Sequence, residues 1–359
     1  MTVNHQMINI AIVGVGNCAS SLVQGIHYYR KNSTNDGLIV PEILGYHASD
    51  INIVAAFDVD AEKVGFSLED AIFRGENNTL SFCLPNSSSC FVSPAIKLDG
   101  IGKIYASQRE FIESSEAQIR AVLRSTKPDV LVNFLPVGSD EATKFWAKLC
   151  LEERVGFVNA IPSFVVSDPA WANKFLEAGV PCVGDDVKSQ IGATIVHRLL
   201  VQMFESRGGT LSNTYQLNIG GNMDFKNMLE GNRISSKLVS KRNSVTSELK
   251  DTNSSSIHIS PTSYVEHLTD NKIAYINLKG FGFGNSPIEI ELKLSVWDSP
   301  NCAAVVMDAI RFVAGAKREG VGGPLPISDF YFKSPPNQLN DFIGNLNARE
   351  YALKGFKST

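Results

Sequence analysis

Short apolar runs rich in β-branched residues recur through the first half of the chain. They cover Ile8–Val13, 51–57, 130–134, 156–158 and 180–183. Runs of this kind are typical of buried strands in a parallel sheet. Helical spacing follows the first run over 20–29, and an apolar helix is predicted over 191–204. The alternation of strands and helices predicts an α/β domain.

Between residues 211 and 297 the pattern changes to strands. They are predicted over 215–219, 274–278 and 288–296. The last strand alternates apolar and charged residues, which is typical of a sheet with one wetted face. Because no helical crossover separates the last two strands, we expect an α+β domain with a mostly antiparallel sheet.

The end of the chain is predicted to return to the first domain. Ser299 is expected to cap a helix that starts at Pro300 and runs to about Arg318. The polar end of the chain, beyond Pro336, is expected to be loosely ordered. We therefore predict a Rossmann-type α/β domain with an inserted α+β domain. The boundaries are 1–190 for the first domain, 191–298 for the insertion, and 299–359 for the returning helix and tail.

The first strand leads directly into G-V-G-N-C-A, which places Gly14, Gly16 and Ala19 in a G-x-G-x-x-A pattern. The first glycine makes a tight turn and the second lets the backbone approach a pyrophosphate. The small third residue allows close packing of helix and strand. Asn17 and Cys18 begin the helix whose N-terminus would face the anion. Because a strand and a helix flank the motif, we predict dinucleotide binding.

Asp58 ends the second strand. An acid there accepts hydrogen bonds from the adenosine ribose and disfavours a 2′-phosphate, so NAD is predicted rather than NADP. The spacing from the glycines exceeds the usual ~20 residues. An insertion at 31–49, rich in Asn, Ser, Gly and Pro, explains the difference. The alternative is that Asp58 caps a turn into 61–64.

Three loops after later strands would face the same crevice, because open α/β sheets bind ligands beyond the carboxyl ends of their strands. They supply the candidates Pro136, Gly138, Asn159, Ala160, Asp185, Lys188 and Ser189. For one of the two adjacent aspartates, Asp185 and Asp186, decoration of a helix N-terminus is also open.

The segment 218–241 is a further candidate wall, which begins as a strand, breaks at two glycines and offers Asn218, Asn222 and Asp224. Lys237 and Lys241 follow four residues apart, and a helix would place both ammonium groups on one face. Taken alone, the segment is equally compatible with a polar turn followed by a solvated helix that has no part in a site. Residues 243–256 are predicted to form a mobile loop, either a lid or a connector.

Five lysines stand out beside the predicted nicotinamide site: Lys188, Lys237, Lys241, Lys279 and Lys333. Hydride transfer needs one acid or base, so several lysines suggest that a phosphate, a carbonyl and an enolate are stabilised as well. Each is also compatible with a plain surface lysine, and for Lys279 that is the first assumption. The histidines lack zinc-ligand spacing. A cation held by a ligand and Asp224 stays open, as does a Schiff base.

Composition narrows the class of protein. The 359 residues are 43% hydrophobic and 19% charged, with a net charge of −4, which predicts no nucleic-acid partner. No apolar run reaches the roughly 18 residues of a membrane span, and residues 1–6 lack the apolar core of a signal peptide. Six scattered cysteines favour reduced thiols in the cytoplasm.

Motifs along nearly the whole chain resemble the inositol-3-phosphate synthase family, in its shorter bacterial and archaeal form. They are V-G-V-G-N-C-A-S-S-L, A-A-F-D-V-D, F-L-P-V-G-S, G-D-D-V-K-S-Q, N-I-G-G-N-M-D, S-K-L-V-S-K, W-D-S-P-N and K-S-P-P. The resemblance implies an NAD-dependent, redox-neutral conversion of D-glucose 6-phosphate to 1D-myo-inositol 3-phosphate. This is the first step of inositol and inositol-phospholipid biosynthesis. It proceeds by oxidation at C5, loss of a proton from C6, an intramolecular aldol step and reduction.

The resemblance also implies roles. Lys237 and Lys279 would stabilise the C5 oxygen and the enolate or aldol oxyanion, and Lys241 and Lys333 would hold phosphate. Hydroxyls, nicotinamide or a cation would be positioned by Asp185, Asn218, Asn222 and Asp224, with Lys188 and Ser189 nearby. The family implies a cytoplasmic homotetramer and leaves the cation open among divalent metals, potassium and ammonium. The rival interpretations are an ordinary NAD-dependent dehydrogenase of a sugar phosphate or inositol, and a non-catalytic NAD sensor.

Overall fold

The computed structural model describes residues 7–86, 89–229, 235–247 and 257–357. One sheet contains β1 (Ile8–Val13), β2 (Ile51–Asp58), β3 (Val92–Pro94), β4 (Val130–Asn133), β5 (Gly156–Asn159), β6 (Pro181–Val183) and β11 (Gly323–Pro324). All pairs are parallel, in the order β11-β6-β5-β4-β1-β2-β3. This is the strand order of a Rossmann-type sheet with one added strand, and the predicted α/β class is confirmed.

Helices cover both faces of this first sheet. The helices in this part of the chain are α1 (Asn17–Asn32), α2 (Leu68–Ala71), α3 (Lys103–Ala106), α4 (Glu116–Thr126), α5 (Asp140–Glu153), α6 (Pro169–Ala178), α10 (Asp298–Glu319), α11 (Ser328–Tyr331) and α12 (Asp341–Lys354). One core lies against α1 and α10 and includes Leu22, Ile26, Val306 and Ile310. The other lies against α4, α5 and α6 and includes Ile119, Trp146 and Phe175.

The second sheet contains β7 (Thr210–Gly220), β8 (Ile257–Tyr264), β9 (Asn271–Phe281) and β10 (Pro287–Trp297), in the order β10-β9-β7-β8. Strand β9 is antiparallel to both neighbours, whereas β7 and β8 are parallel. The remaining helices are α7 (Ala193–Ser206), α8 (Met223–Asn227) and α9 (Ser235–Thr246). A small core joins α7 and α9 to one face of the sheet through Val201, Val245, Ile276 and Leu278. The mostly antiparallel sheet is confirmed.

Two local expectations for this part were incomplete. Strand β8 was not predicted; it is an edge strand of the sheet and contains Pro261, which weakens a strand pattern and is tolerated at an edge. The loop expected from residue 243 begins later, because α9 continues to Thr246. Residues 248–256, the rest of that expected loop, lie outside the described part of the chain.

Two expectations for the end of the chain were wrong. Helix α10 begins at Asp298, so Ser299 lies inside the first turn, where its hydroxyl donates to Asp270 instead of capping the helix. The supposedly loose end contains α12, whose N-cap is Asn340. Its buried positions include the small residues Gly344, Ala348 and Ala352, so it lacks the apolar stripe that indicates a helix.

Candidate active site

The glycine turn after β1 has the geometry that a dinucleotide phosphate needs. Gly14 has φ +86°, and a Cβ there would lie 2.7 Å from the carbonyl oxygen of Phe134, so only glycine fits. A Cβ on Gly16 would meet nothing within 4 Å, because this residue faces an open cavity. Helix α1 starts at Asn17, with its N-terminal amides at the same cavity, and Ala19 is fully buried beneath it.

Asp58 connects the end of β2 to this turn. Its carboxylate accepts the amides of Val15 at 2.7 Å, Val59 at 2.7 Å and Asp60 at 3.0 Å. The turn over 61–64 is capped by Asp60 instead, whose carboxylate accepts the amide of Glu62 at 2.9 Å, and the Asp58 side chain lines the cavity. Buried Lys63 donates to the carbonyl of Val15 at 2.9 Å, so the turn is held from both sides.

The cavity extends from the glycine turn to the second sheet. Twelve of the predicted site residues line it: Gly14, Gly16, Asn17, Cys18, Asp58, Pro136, Ala160, Ser189, Asn218, Asn222, Asp224 and Lys333. Six others do not: Ala19, Gly138, Asn159, Asp185, Lys188 and Lys279. Lys237 and Lys241 lie in the helix α9, and their side chains lie outside the described part of the structure.

Asp185 lies in the protein interior behind the cavity. Its carboxylate accepts from the side chain of Asn159 at 2.7 Å, the amides of Val165 and Val166, and both the amide and hydroxyl of Ser167. Burial raises the pKa of this carboxyl to about 6, against these hydrogen bonds, which lower it. The arrangement makes Asp185 an anchor for the 165–167 backbone.

The adjacent Asp186 does line the cavity, and the sequence reasoning did not select it. Its carboxylate lies 2.7 Å from the ammonium of Lys333 and accepts the hydroxyl of Ser240 at 2.6 Å. The backbone amide of Lys333 also donates to the Asp186 carbonyl, at 2.7 Å. Asp186 has a positive φ of 61°, and its carboxylate lines the cavity, whereas that of Asp185 is directed at Asn159 and the 165–167 backbone.

Lys272 was also missed, and it lines the cavity at the start of β9. Its ammonium lies 3.0 Å from both carboxylate oxygens of Asp298. Lys279 lies seven residues further along the same strand, on the opposite face, because side chains alternate along a strand. Its side chain is 54% exposed and pairs with Glu289 at 2.9 Å. The parity of the buried Ala274, Ile276 and Leu278 was the signal that could have distinguished the two lysines.

Lys188 belongs to a buried ion cluster rather than to the cavity wall. Its ammonium lies 2.9 Å from Asp341 of α12 and 3.0 Å from the carbonyl of Asp329. The second oxygen of Asp341 accepts from Arg198 of α7 at 2.5 Å. This cluster fastens the last helix of the chain to the helix that follows the Lys188 loop.

Asp270 joins the two halves of the site and was not predicted. Its buried carboxylate accepts from Thr79 at 2.6 Å and Asn222 at 2.9 Å, and from the amide and hydroxyl of Ser299 at 3.1 and 2.9 Å. Asn17, at the start of α1, lies 3.4 Å from the same carboxylate. Burial raises the pKa of Asp270. One carboxylate thus contacts the nucleotide helix, the Asn222 turn and α10.

The segment 218–224 forms the wall between these groups. Asn222 accepts the amide of Phe225 at 3.3 Å and so caps α8. A Cβ on Gly221 would lie 2.4 Å from the carbonyl of Val265, so the close packing of this turn requires glycine. Among the described residues, no group of three or more His, Cys, Asp or Glu side chains could hold a metal ion. None of the described helices is long and apolar enough to cross a bilayer.

The strand order, the glycine turn and the cavity define a dinucleotide-binding α/β enzyme in which the second sheet and its loops supply cationic and amide groups to the nucleotide site. The match to known sequences is more specific. The chain is 52% identical over 353 residues to an inositol-3-phosphate synthase of Mycolicibacterium smegmatis, covering 96% of this chain and 97% of that protein. The chain therefore belongs to the inositol-3-phosphate synthase family.

Other comparisons agree. A relative of the same name from Corynebacterium glutamicum is 47% identical over 357 residues, which cover 97% of this chain and 98% of that one. The family model described as Myo-inositol-1-phosphate synthase matches residues 192–299. The crystal structure of Ari2 superposes with a TM-score of 0.81 at 34% identity, covering 97% of this chain and 98% of that one.

Proposed function

We propose that this protein converts D-glucose 6-phosphate to 1D-myo-inositol 3-phosphate, with NAD as a hydride carrier that is regenerated in each turnover. The observation that carries the proposal is the single cavity between the glycine turn and the second sheet. It brings Lys272 and Lys333 to the same space as the helix N-terminus that would hold the pyrophosphate. Its sequence relatives at about half identity carry the name of this enzyme.

The residues present fit NAD. The glycine turn leaves open space at Gly16, the amides of α1 face that space, and Asp58 lies at the cavity at the end of β2. When bound there, NAD would supply the hydride acceptor and donor for C5 of the open-chain sugar. The residues of the site would then have to stabilise an enolate and an aldol oxyanion beside a phosphate dianion.

The lysines supply the positive charge. Lys272 and Lys333 are each held by a carboxylate, Asp298 and Asp186 respectively, which fixes the ammonium while leaving protons for a ligand. We place Lys272, rather than Lys279, with Lys237 at the C5 oxygen and the aldol oxyanion. Lys241 and Lys333 would bind the phosphate. Prepositioned charges of this kind are usually the largest contribution to catalysis.

The side chains of the segment 218–224 orient the sugar. Asn218, Asn222 and Asp224 all line the cavity and offer donors and acceptors to hydroxyl groups. Asp185 and Lys188 would support this wall from behind. We also propose that an activating cation, divalent, potassium or ammonium, binds between Asp224 and the phosphates of the ligands. Omitting each cation in turn from the assay tests that part.

The decisive experiment uses the protein with glucose 6-phosphate and a catalytic amount of NAD. We expect one inositol phosphate to form per sugar consumed, as measured by ³¹P NMR, and no NADH to accumulate. Stoichiometric NADH would support the ordinary dehydrogenase instead. NAD binding without turnover of glucose 6-phosphate would support the sensor.

We further propose a cytoplasmic homotetramer in which the outer face of the second sheet packs against another subunit. That face carries the half-exposed Tyr215 and Tyr275, a good composition for an interface core. Light scattering gives the subunit count, and charge substitutions at the two tyrosines should lower it. The boundaries 1–190, 191–298 and 299–359 are retained as the proposed domain limits.

A further inference from the structure

Lys63 is a buried lysine beside the glycine turn. It follows β2, is 4% exposed and lines the cavity. Its ammonium donates to the carbonyl of Val15 at 2.9 Å and to Oδ1 of Asn77 at 3.1 Å. Both acceptors are neutral, and Lys63 forms no salt bridge with any described residue. A lysine is seldom buried without a carboxylate partner, so this one needs a reason of its own.

The carbonyl of Val15 has a second donor. The side-chain nitrogen of Asn77 donates to it at 3.1 Å. The same nitrogen donates to the carbonyl of Ile72 at 2.9 Å, which fixes Asn77 against the end of α2. The chain after β2 therefore directs two donors, one charged and one neutral, at a single carbonyl of the glycine turn.

This carbonyl belongs to the peptide that carries the Gly16 amide. In a trans peptide, such as the one between Val15 and Gly16, the C=O and the N–H point in opposite directions. Because the carbonyl is directed at Lys63 and Asn77, the N–H of Gly16 points away from them. This N–H donates to no atom of the described residues, and the space beside Gly16 is open. It is therefore left for a ligand.

A peptide at this position is free to turn over unless it is held. Gly16 has no Cβ, so rotation about the bonds beside the peptide meets little steric resistance. A turned peptide would direct the Val15 oxygen at the place of the pyrophosphate, where two negative groups would repel each other. Backbone N–H groups at the start of a helix bind phosphate when they point at it. The two donors on the Val15 carbonyl exclude the turned arrangement.

We propose that Lys63 and Asn77 are positioning residues for the pyrophosphate of NAD. They hold the Val15 carbonyl, so that the Gly16 N–H faces the phosphate oxygens before the ligand arrives. The Lys63 ammonium makes a second contribution, because a positive charge without a carboxylate partner attracts an anion to the cavity. This inference rests on the proposed binding of NAD and involves neither the sugar nor the chemical step.

Two variants remove the donors one at a time. Lys63→Met keeps the aliphatic length and removes the charge together with one donor. Asn77→Leu removes the other donor and leaves the charge in place. Lys317→Met is the matched control, because Lys317 is a partly buried lysine that also donates to a main-chain carbonyl, that of Asp129 at 3.2 Å, but does not line the cavity.

Two fragments of the dinucleotide separate pyrophosphate binding from the rest of the site, because ADP-ribose contains the pyrophosphate and adenosine lacks it. We expect Lys63→Met to raise the Kd for ADP-ribose and for NAD, measured by calorimetry, by about 10- to 100-fold, the size of one hydrogen bond to a charged group. Asn77→Leu should raise both by about tenfold. The Kd for adenosine, measured by ligand-observed NMR, should stay within about threefold in each variant, since adenosine loses no hydrogen bond. Lys317→Met should change none of the three.

Two results would overturn the proposal. One is a folded Lys63→Met that binds ADP-ribose as the wild type does. The other is a Kd for adenosine that rises by the same factor as the Kd for ADP-ribose, which would assign Lys63 to the adenosine or to the stability of the turn. Melting temperature shows which variants are folded, and Asn77→Leu provides the same comparison if Lys63→Met does not fold.

The same measurements keep this inference apart from the proposed function. A wild-type protein that binds NAD and ADP-ribose but forms no inositol phosphate would refute the proposed function alone. A wild-type protein that binds neither ligand would refute both.

Discussion

Lys272 and Lys279 provide a matched test, because they are the same residue type on the same strand and point to opposite faces. Methionine at either position keeps the aliphatic length and removes the charge. Lys272 pairs with Asp298 inside the cavity, and both side chains are less than a fifth exposed. Lys279 pairs with Glu289 on the outer face, and both side chains are about half exposed.

The expected magnitudes differ accordingly. Removing one preorganised charge or donor beside a developing oxyanion costs about 10²–10³ in kcat, or about 3–4 kcal/mol of transition-state stabilisation. We expect a loss of this size for Lys272→Met. Lys279 does not line the cavity, so Lys279→Met should change kcat by less than about twofold. The loss of its exposed ion pair should change stability by only about 0–1 kcal/mol.

The assay is formation of inositol phosphate at saturating glucose 6-phosphate and NAD, with kcat and KM determined separately. Melting temperature and light scattering show whether either variant loses its fold or its subunit partners, since Lys279 lies on the proposed interface. The reasoning is refuted if Lys272→Met keeps more than about a tenth of the wild-type kcat while folded. It is equally refuted if folded and correctly assembled Lys279→Met loses as much as Lys272→Met.

Three further predictions follow from buried groups. Asp270→Asn places an NH₂ where five donors already converge. We therefore expect the Kd for NAD, measured by calorimetry, to rise about tenfold and kcat to fall about tenfold. Unchanged values for both would show that Asp270 does not connect the nucleotide helix to the Asn222 turn in a way that affects function. Asp185→Asn should destabilise the fold by about 2–4 kcal/mol in urea titration, because the donors on one of the two carboxylate oxygens, two on Oδ1 or three on Oδ2, would face an NH₂ group. A change below about 1 kcal/mol would contradict the anchor role. Asp341→Ala leaves Lys188 and Arg198 buried without their shared carboxylate, so the free energy of unfolding should fall by about 3–5 kcal/mol in the same titration. Glu350→Ala, at an exposed position on the same helix, is the control and should change the free energy of unfolding by less than about 1 kcal/mol.

Local signals explain which parts of the fold were predictable. The parallel strands and the glycine turn depend on continuous apolar runs and on one short motif, so the sequence alone singles out residues such as Gly14 and Gly16, which line the cavity. The segment 235–246 was a helix, as the spacing of its lysines allowed. The residues that define each of these features lie within a few positions of one another in the sequence.

The missed residues depend on distant parts of the chain. The role of Asp270 depends on its hydrogen bonds with Thr79, Asn222 and Ser299, which come close to it only in the folded protein. The choice of Asp186 over Asp185 depends on the path of the backbone after β6. Helix α12 was missed because its buried face is made of glycine and alanine, which give no hydrophobic periodicity.

The returning segment has a consequence for how the chain is made. The first sheet begins with Ile8 but is completed by β11, and one of its two cores needs α10. The ribosome must therefore synthesise all of residues 191–298 before the first sheet and its core can be completed. Until then, the edge strand β6 and the apolar surface under α10 stay uncovered, which is the state most prone to aggregation. We expect stable nucleotide binding during synthesis only after nearly the full chain, through Lys354, has emerged from the ribosome. Chains truncated before residue 298 should accumulate on chaperones rather than as a free nucleotide-binding domain.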